Sequence, residues 1–145
     1  MADLTPQQVA EQVREHLSAR SQACAMLGIV VLGVRPGWSS VSMTVRKDML
    51  NGLATCHGGL IATLADSAFA YACNSYNEVS VASSFGIELF APAVLGDVLT
   101  ATCSETSKTG RTGLYDAEIT NQNDQRIAVF RGRSYTIKGK PVLGT

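Results

Sequence analysis

The segment "NGLATCHGGLIATLADSAFAYACNS", Asn51 to Ser75, carries one histidine, His57, then two glycines, and after them a single charged side chain, Asp66. From Gly58 to about Tyr76 it reads as one long helix. The first N–H groups of a helix have no carbonyl partner and are positively polarised, and the missing side chains of Gly58 and Gly59 let a ligand come close to them. Such donors suit a carbonyl oxygen that is gaining negative charge. Asp66 is a carboxylate able to attack or to take a proton, but it lies roughly 12 Å further along the same helix, too far to share one reacting carbon. Two antiparallel copies of the helix, related by a dimer axis, would bring each acid to the other's N-terminus. The plainer alternatives are that Asp66 is a structural acid at an interface, Asn51-Gly52 an ordinary turn, His57 a helix cap and Gly58-Gly59 a close-packing pair.

Something must hold that helix from both sides. At about 100° per residue Leu60, Ile61, Leu64, Ala65, Ala68, Phe69 and Ala72 form one broad apolar stripe, which is expected to pack on a sheet. The opposite side carries Gly59, Ala62, Thr63, Asp66, Ala70 and Cys73, where a solvated helix would show lysines and glutamates. A helix that is small or apolar all round is buried all round, so this second face is expected to meet another backbone, most simply the same helix of a second copy.

The flanking segments supply the rest. Thr5, Pro6 and Gln8 form a helix start, with a threonine cap, proline in the first turn and a glutamine reaching back, and predict an N-terminal helix over about 5–24. "IVVLGVRPGWSSVSMTVR" alternates around Pro36-Gly37 and reads as a strand pair. Four more strands follow the central helix, separated by Pro92, Gly96-Asp97, Lys108-Thr109-Gly110 and Asn121 to Asp124. This order gives an α+β domain spanning residues 1–145, with a helix on one face of an antiparallel sheet.

Bulk properties narrow the partners. The 145 residues hold 12 basic and 12 acidic side chains, so no basic field invites nucleic acid or an anionic membrane surface. The most apolar stretch is interrupted by Thr63, Asp66 and Ser67 and does not read as a membrane span. "MADLTPQQVAEQVREHL" has no basic-then-apolar leader pattern, which predicts a cytoplasmic protein. Cys24, Cys56, Cys73 and Cys103 are scattered singly and read as reduced thiols, Cys56 beside His57 being the candidate for higher reactivity; no metal-ligand spacing is present.

The pattern "NG....HGG..A.LAD.AFAYA.NS", with "VASS..IELFAPA...GD.LTATC" and "FRGRS" after it, resembles the hotdog-fold thioesterase superfamily, specifically its PaaI-like branch of phenylacetate-pathway acyl-CoA thioesterases. The resemblance spans nearly the whole chain. It implies a long central helix wrapped by a curved antiparallel sheet, and hydrolysis of acyl-CoA thioesters, with phenylacetyl-CoA and its ring-hydroxylated forms favoured. It implies that the Gly58 N–H polarises the thioester carbonyl and that Asp66 of the opposite subunit is nucleophile or general base. It also implies that Asn51 positions the attacking water or carboxylate and that His57 shapes the carbonyl site and assists the leaving thiolate. Gly59, at the helix start, is a further substrate-binding candidate, and Ser83 and Ser84 fall where some relatives place a polar group near the site, strand alternation turning only one of the two to any given face. No metal or prosthetic group is implied, CoA entering only as part of the substrate, and the expected assembly is a homotetramer built as a dimer of dimers. Some related branches use a helix hydroxyl one turn after the acid; here that position is Ala70. Arg111, Arg131, Arg133 and Lys138 are candidates for the CoA phosphates. The alternative is a non-catalytic acyl-CoA-binding hotdog module, for which the single N-terminal helix leaves no room for a DNA-binding output unit. A hotdog hydratase would instead consume enoyl-CoA without releasing thiol.

Overall fold

The computed structural model describes residues 3–145; Met1 and Ala2, the start of the expected domain and of the leader reading, lie outside the described residues. Helix α1 spans Pro6–Ser18, and its capping box is made as the sequence predicts, Thr5 Oγ accepting from the Gln8 N–H and the Gln8 side chain accepting from the Thr5 N–H. The expected single helix over about 5–24 is in fact two. The chain turns at Ala19–Arg20, where the Arg20 and Ser21 N–H groups both bond back to the Leu17 carbonyl, and α2 (Gln22–Leu27) restarts on a Ser21 cap. A serine hydroxyl that satisfies a new helix start competes with helix continuation, which a periodicity reading does not weigh. Gly28, at φ +67°, closes α2 in the left-handed conformation.

The strand pair is β1 (Val30–Arg35) and β2 (Trp38–Thr44), joined at Pro36-Gly37. A short 3-10 turn, Lys47–Met49, and a loop lead to the central helix α3, Gly58–Asn74. The four remaining strands are β3 (Ser80–Leu89), β4 (Val98–Thr109), β5 (Thr112–Thr120) and β6 (Arg126–Thr136). All six form one antiparallel sheet in the order β1-β2-β4-β5-β6-β3, so the strand that follows the central helix crosses to the far edge.

Helix α3 lies across one sheet face and buries Ile61, Leu64, Ala65, Ala68, Phe69 and Ala72, six of the seven predicted stripe residues; Leu60, in the first turn, is only partly covered. Phe69 anchors the contact, its ring centroid 5.5 Å from Tyr115 on β5 and 5.9 Å from Phe130 on β6. Cys73 departs from the reading. It is buried within the chain rather than on the second face, because the end of α3 is enclosed by the sheet. No helix among the described residues is long and apolar enough to cross a membrane.

The register of β3 on β6 matters for the site. Phe85 opposes Gly132 and Ile87 opposes Phe130, so Phe85 and Ile87 share the helix-facing side of the sheet, with Phe85 5.2 Å from Phe130. Yet β3 is an edge strand, and α3 covers it only in part. Phe85 is 50% exposed, Leu89 49% and Phe90 59%. An open edge carrying half-covered apolar side chains on its inner face is a surface built to be extended by more protein.

Candidate active site

The start of α3 is set by a loop that is tied at several points. Asn51 Oδ1 accepts from the N–H groups of Leu53 and Thr55, and its Nδ2 donates to Thr55 Oγ1. Ala54 is held at φ +60° between them. Cys56 N–H bonds the Ala93 carbonyl, and His57 N–H bonds the Met49 carbonyl. This fixes the direction in which the chain enters the helix. Asn51 is therefore the strut of the turn, and Asn51→Ala is expected to lower the unfolding free energy by about 1–3 kcal/mol in urea titrations; unchanged stability would refute the strut.

At the helix start the His57 carbonyl accepts from the Leu60 and Ile61 N–H groups, while the N–H groups of Gly58 and Gly59 find no backbone partner among the described residues. The His57 side chain does not cap the helix; the ring is exposed and free to act on something else. Gly58 faces a cavity of about 300 Å³ whose walls include Asn51, Cys56, Ile61, Leu89 and Pro92. A Cβ on Gly58 would lie 2.9 Å from Leu89 Cδ1, so glycine is what lets that side chain close over the helix start. At Gly59 a Cβ would meet nothing within 4 Å. Gly59→Ala is thus expected to leave the chain as stable as before or slightly more so, since alanine is the better helix former, and to reduce turnover only if substrate or a second subunit comes against that spot. Thermal melting beside a rate assay separates the two effects.

Asp66 lies in a different cavity, of about 330 Å³, between the second face of α3 and the α1–α2 elbow. Sequence reasoning placed only a second subunit on that face. In the structure the chain's own N-terminal helices cover part of it, with the Cys24 thiol 3.6 Å from Ser67 Oγ and the Tyr71 hydroxyl 3.2 Å from Ser18 Oγ. Tyr71 and Cys24 were missed because each looks like an ordinary core residue in the sequence. Burial raises the pKa of the Asp66 carboxyl above the ordinary aspartate value, and no hydrogen bond or neighbouring charge contributes to the shift. Of the structural-acid alternative, a bond to a neighbouring loop of the same chain is not made among the described residues, which leaves it a partner across an interface.

The structure thus brings Asn51, His57, Gly58 and Gly59 together at one end of α3 and leaves Asp66 two turns away, as the helix rise required. Ser83 and Ser84 sit on the exposed edge strand, at a bulge that sets Ala82 opposite Ser134 and Ser84 opposite Arg133. Ser83 Oγ donates to the Arg133 carbonyl. The bulge breaks the simple alternation on which the two serines were separated. Neither lines the two cavities. Of the four thiols, Cys56 is not the activated one its position beside His57 suggested: burial raises its pKa, and Cys73 and Cys103 are pushed up to about 12. Arg131 forms two charge-assisted bonds to Asp116, at 2.7 and 2.9 Å, and is committed to that pair. Among the described residues no three His, Cys, Asp or Glu side chains cluster as metal ligands.

The sequence and the fold are similar to those of known proteins. The thioesterase superfamily model matches residues 53–128, which runs from the helix-start loop into β6. The chain is 46% identical over 125 residues to the acyl-coenzyme A thioesterase PaaI of Escherichia coli, covering 86% of this chain and 89% of that one. The structure of the E. coli PaaI protein from the phenylacetic acid degradation operon superposes with a TM-score of 0.91 at 40% identity, over 94% of this chain and 99% of that one. A variant of the phenylacetic acid degradation protein PaaI of Thermus thermophilus superposes with a TM-score of 0.78 at 33% identity, over 81% and 100%. Sequence identity over most of both chains and superposition of the whole fold agree, and the chain belongs to the PaaI-like branch of the hotdog-fold thioesterase superfamily.

Proposed function

We propose that this acyl-CoA thioesterase hydrolyses phenylacetyl-CoA and ring-hydroxylated phenylacetyl-CoA, releasing free CoA in phenylacetate degradation in the cytoplasm. Its site is shared between two chains of a dimer, and two dimers associate as a homotetramer. The observation that carries this reading is the separation on one helix of two incomplete half-sites: unpaired N–H groups at Gly58 and Gly59, and a carboxylate at Asp66 with nothing to neutralise it. Each lacks what the other has. The half-covered inner face of β3 is where a second copy would extend the sheet and bring an antiparallel α3 alongside.

In the shared site the Gly58 N–H holds the thioester oxygen as the carbonyl carbon becomes tetrahedral. Asp66 of the other chain either takes a proton from the attacking water or attacks the carbon itself, forming an anhydride that water then opens. In both routes the C–S bond breaks, the CoA thiolate leaves with its electron pair, and the acyl carbon ends with the oxygen of water. His57, uncommitted at the helix start, lies where it can assist the departing thiolate. Asn51 contributes through the turn it holds and through the remaining hydrogen on Nδ2. Gly59 gives room for the substrate, and Ser83 and Ser84 stand on the strand that would meet the partner. CoA is part of the substrate, and the reaction calls on no metal or prosthetic group.

The test is free-thiol release from a panel of acyl-CoAs, phenylacetyl, hydroxyphenylacetyl, benzoyl and straight-chain. Selective release from arylacetyl esters is expected. Folded protein that binds these esters and releases no thiol from any of them would instead be a non-catalytic acyl-CoA-binding module.

A further inference from the structure

A thioester held between the two half-sites sends two arms away from its carbonyl carbon, the acyl group and the pantetheine chain of CoA. The two cavities differ in what they can take. The one at Gly58 opens beside the exposed Leu89 and Phe90, so a long arm can pass through it to solvent. Both have a floor of buried side chains, Cys56 and Ile61 in the first, Tyr71 and Asn74 in the second, but the second is also walled by the α1–α2 elbow through Leu17, Ser21 and Cys24. A pocket walled in this way suits a compact group that stops there.

Apart from the Asp66 carboxylate and the Arg20 guanidinium, the polar groups of this second cavity are mostly spent. Thr63 Oγ1 donates to the Gly59 carbonyl and Ser67 Oγ to the Thr63 carbonyl. Asn74 Nδ2 donates to the Ala70 and Ser80 carbonyls while its Oδ1 accepts from the Ser80 N–H. Ser21 Oγ caps α2. The Tyr71 hydroxyl is different. It is both donor and acceptor; it meets the Ser18 hydroxyl on α1 at 3.2 Å and the Cys24 thiol, a weak partner that a ligand hydroxyl can displace.

On the reading given under Proposed function, we infer that the cavity between the α1–α2 elbow and α3 receives the acyl group, and that the Tyr71 hydroxyl, positioned by Ser18, is the specificity determinant that recognises a hydroxyl on the aryl ring. The elbow at Ala19–Arg20 is then the feature that opens the pocket, since one straight helix over 5–24 would not fold back to wall it. The ring occupies the apolar part of the cavity beside Leu17 and Ala70, with its carbonyl at the mouth where Asp66 stands.

The experiment compares kcat/KM for the ortho, meta and para isomers of hydroxyphenylacetyl-CoA with that for phenylacetyl-CoA, in wild type, Tyr71→Phe and Ser18→Ala, with circular dichroism and sedimentation to establish fold and assembly. The ratio of the best hydroxylated isomer to the unsubstituted ester is expected to fall about 5- to 10-fold in Tyr71→Phe and by a smaller factor in Ser18→Ala, which keeps the phenol but frees it. A ratio unchanged in both variants overturns the assignment, as it would if the pantetheine arm filled this cavity and both esters were affected alike. Should Tyr71→Phe fail to fold, Ser18→Ala, at an exposed helix end, carries the same comparison. Absence of arylacetyl-CoA hydrolysis by the wild type would strike the proposed function itself, a result distinct from a ratio that does not move.

Discussion

Asp66→Asn is expected to reduce acyl-CoA hydrolysis by roughly 10²–10⁴-fold, the range for loss of a positioned acid–base group, with a larger loss if the carboxylate is the nucleophile. The amide nearly matches the carboxylate in shape but neither takes a proton from water nor attacks a thioester at a useful rate. The same substitution is expected to leave the protein at least as stable near neutral pH. Burial holds the Asp66 carboxyl above the ordinary aspartate value, so between the unfolded and folded pKa values the folded chain binds more protons than the unfolded one. Stability therefore falls as pH rises through that window and stays lowered above it. Asparagine has no charge to desolvate and escapes this cost, so its melting temperature should match or exceed that of wild type at pH 7, the gap narrowing toward pH 4. Turnover of the wild type should rise with pH through the raised pKa, because the ionised form is the active one. A folded, assembled Asp66→Asn protein with unchanged turnover would remove Asp66 from the mechanism, and a strongly lowered melting temperature at pH 7 would show that the acid is structural after all.

Mixing two inactive variants is expected to restore activity. Gly58→Val places a branched side chain where even a Cβ would lie 2.9 Å from Leu89 Cδ1, and it should cost about 10²–10³-fold by obstructing the oxyanion donor. In a dimer of one Asp66→Asn chain and one Gly58→Val chain, one site is built from two altered residues and the other from two intact ones. Random reassortment after partial denaturation should thus recover about a quarter of the wild-type rate per chain, half of the dimers being mixed and half of their sites intact. No recovery, with mixed dimers demonstrated by mass, would show that each chain completes its own site. The roughly 12 Å between the two residues on one helix makes that outcome hard to reconcile with a single reacting carbon.

Much of this was legible without coordinates. The central helix and all six strands follow from patterns that depend on local physics: apolar residues at helical spacing in "LIATLADSAFAYA", alternation in "SVSMTV", and turns at Pro36-Gly37, Gly96 and Gly110. The helix start at Gly58 and the isolation of Asp66 were equally plain, because a run of small uncharged residues makes a lone acid conspicuous. Residue types and spacing along one element determined which groups could do chemistry and that a single chain could not bring them together.

What the tertiary structure alone decided is where those elements lie relative to one another. The N-terminal segment breaks at Ala19–Arg20 because a serine cap and a left-handed Gly28 turn α2 back onto α3, a contact between residues more than forty positions apart with no periodic trace. Cys73 is covered by its own chain rather than by a second copy, Ser83 and Ser84 were re-aimed by a bulge in β3, and Asn51 proved to be bonded into its own loop. The strand order, which carries β3 across to β6 at the sheet edge, decided that Phe85 and Leu89 would be left half-covered. Local sequence sets the shape of an element through interactions within a few residues. The walls of a cavity, and whether a buried acid finds a partner, depend on groups distant in the chain, and only the folded molecule sums them.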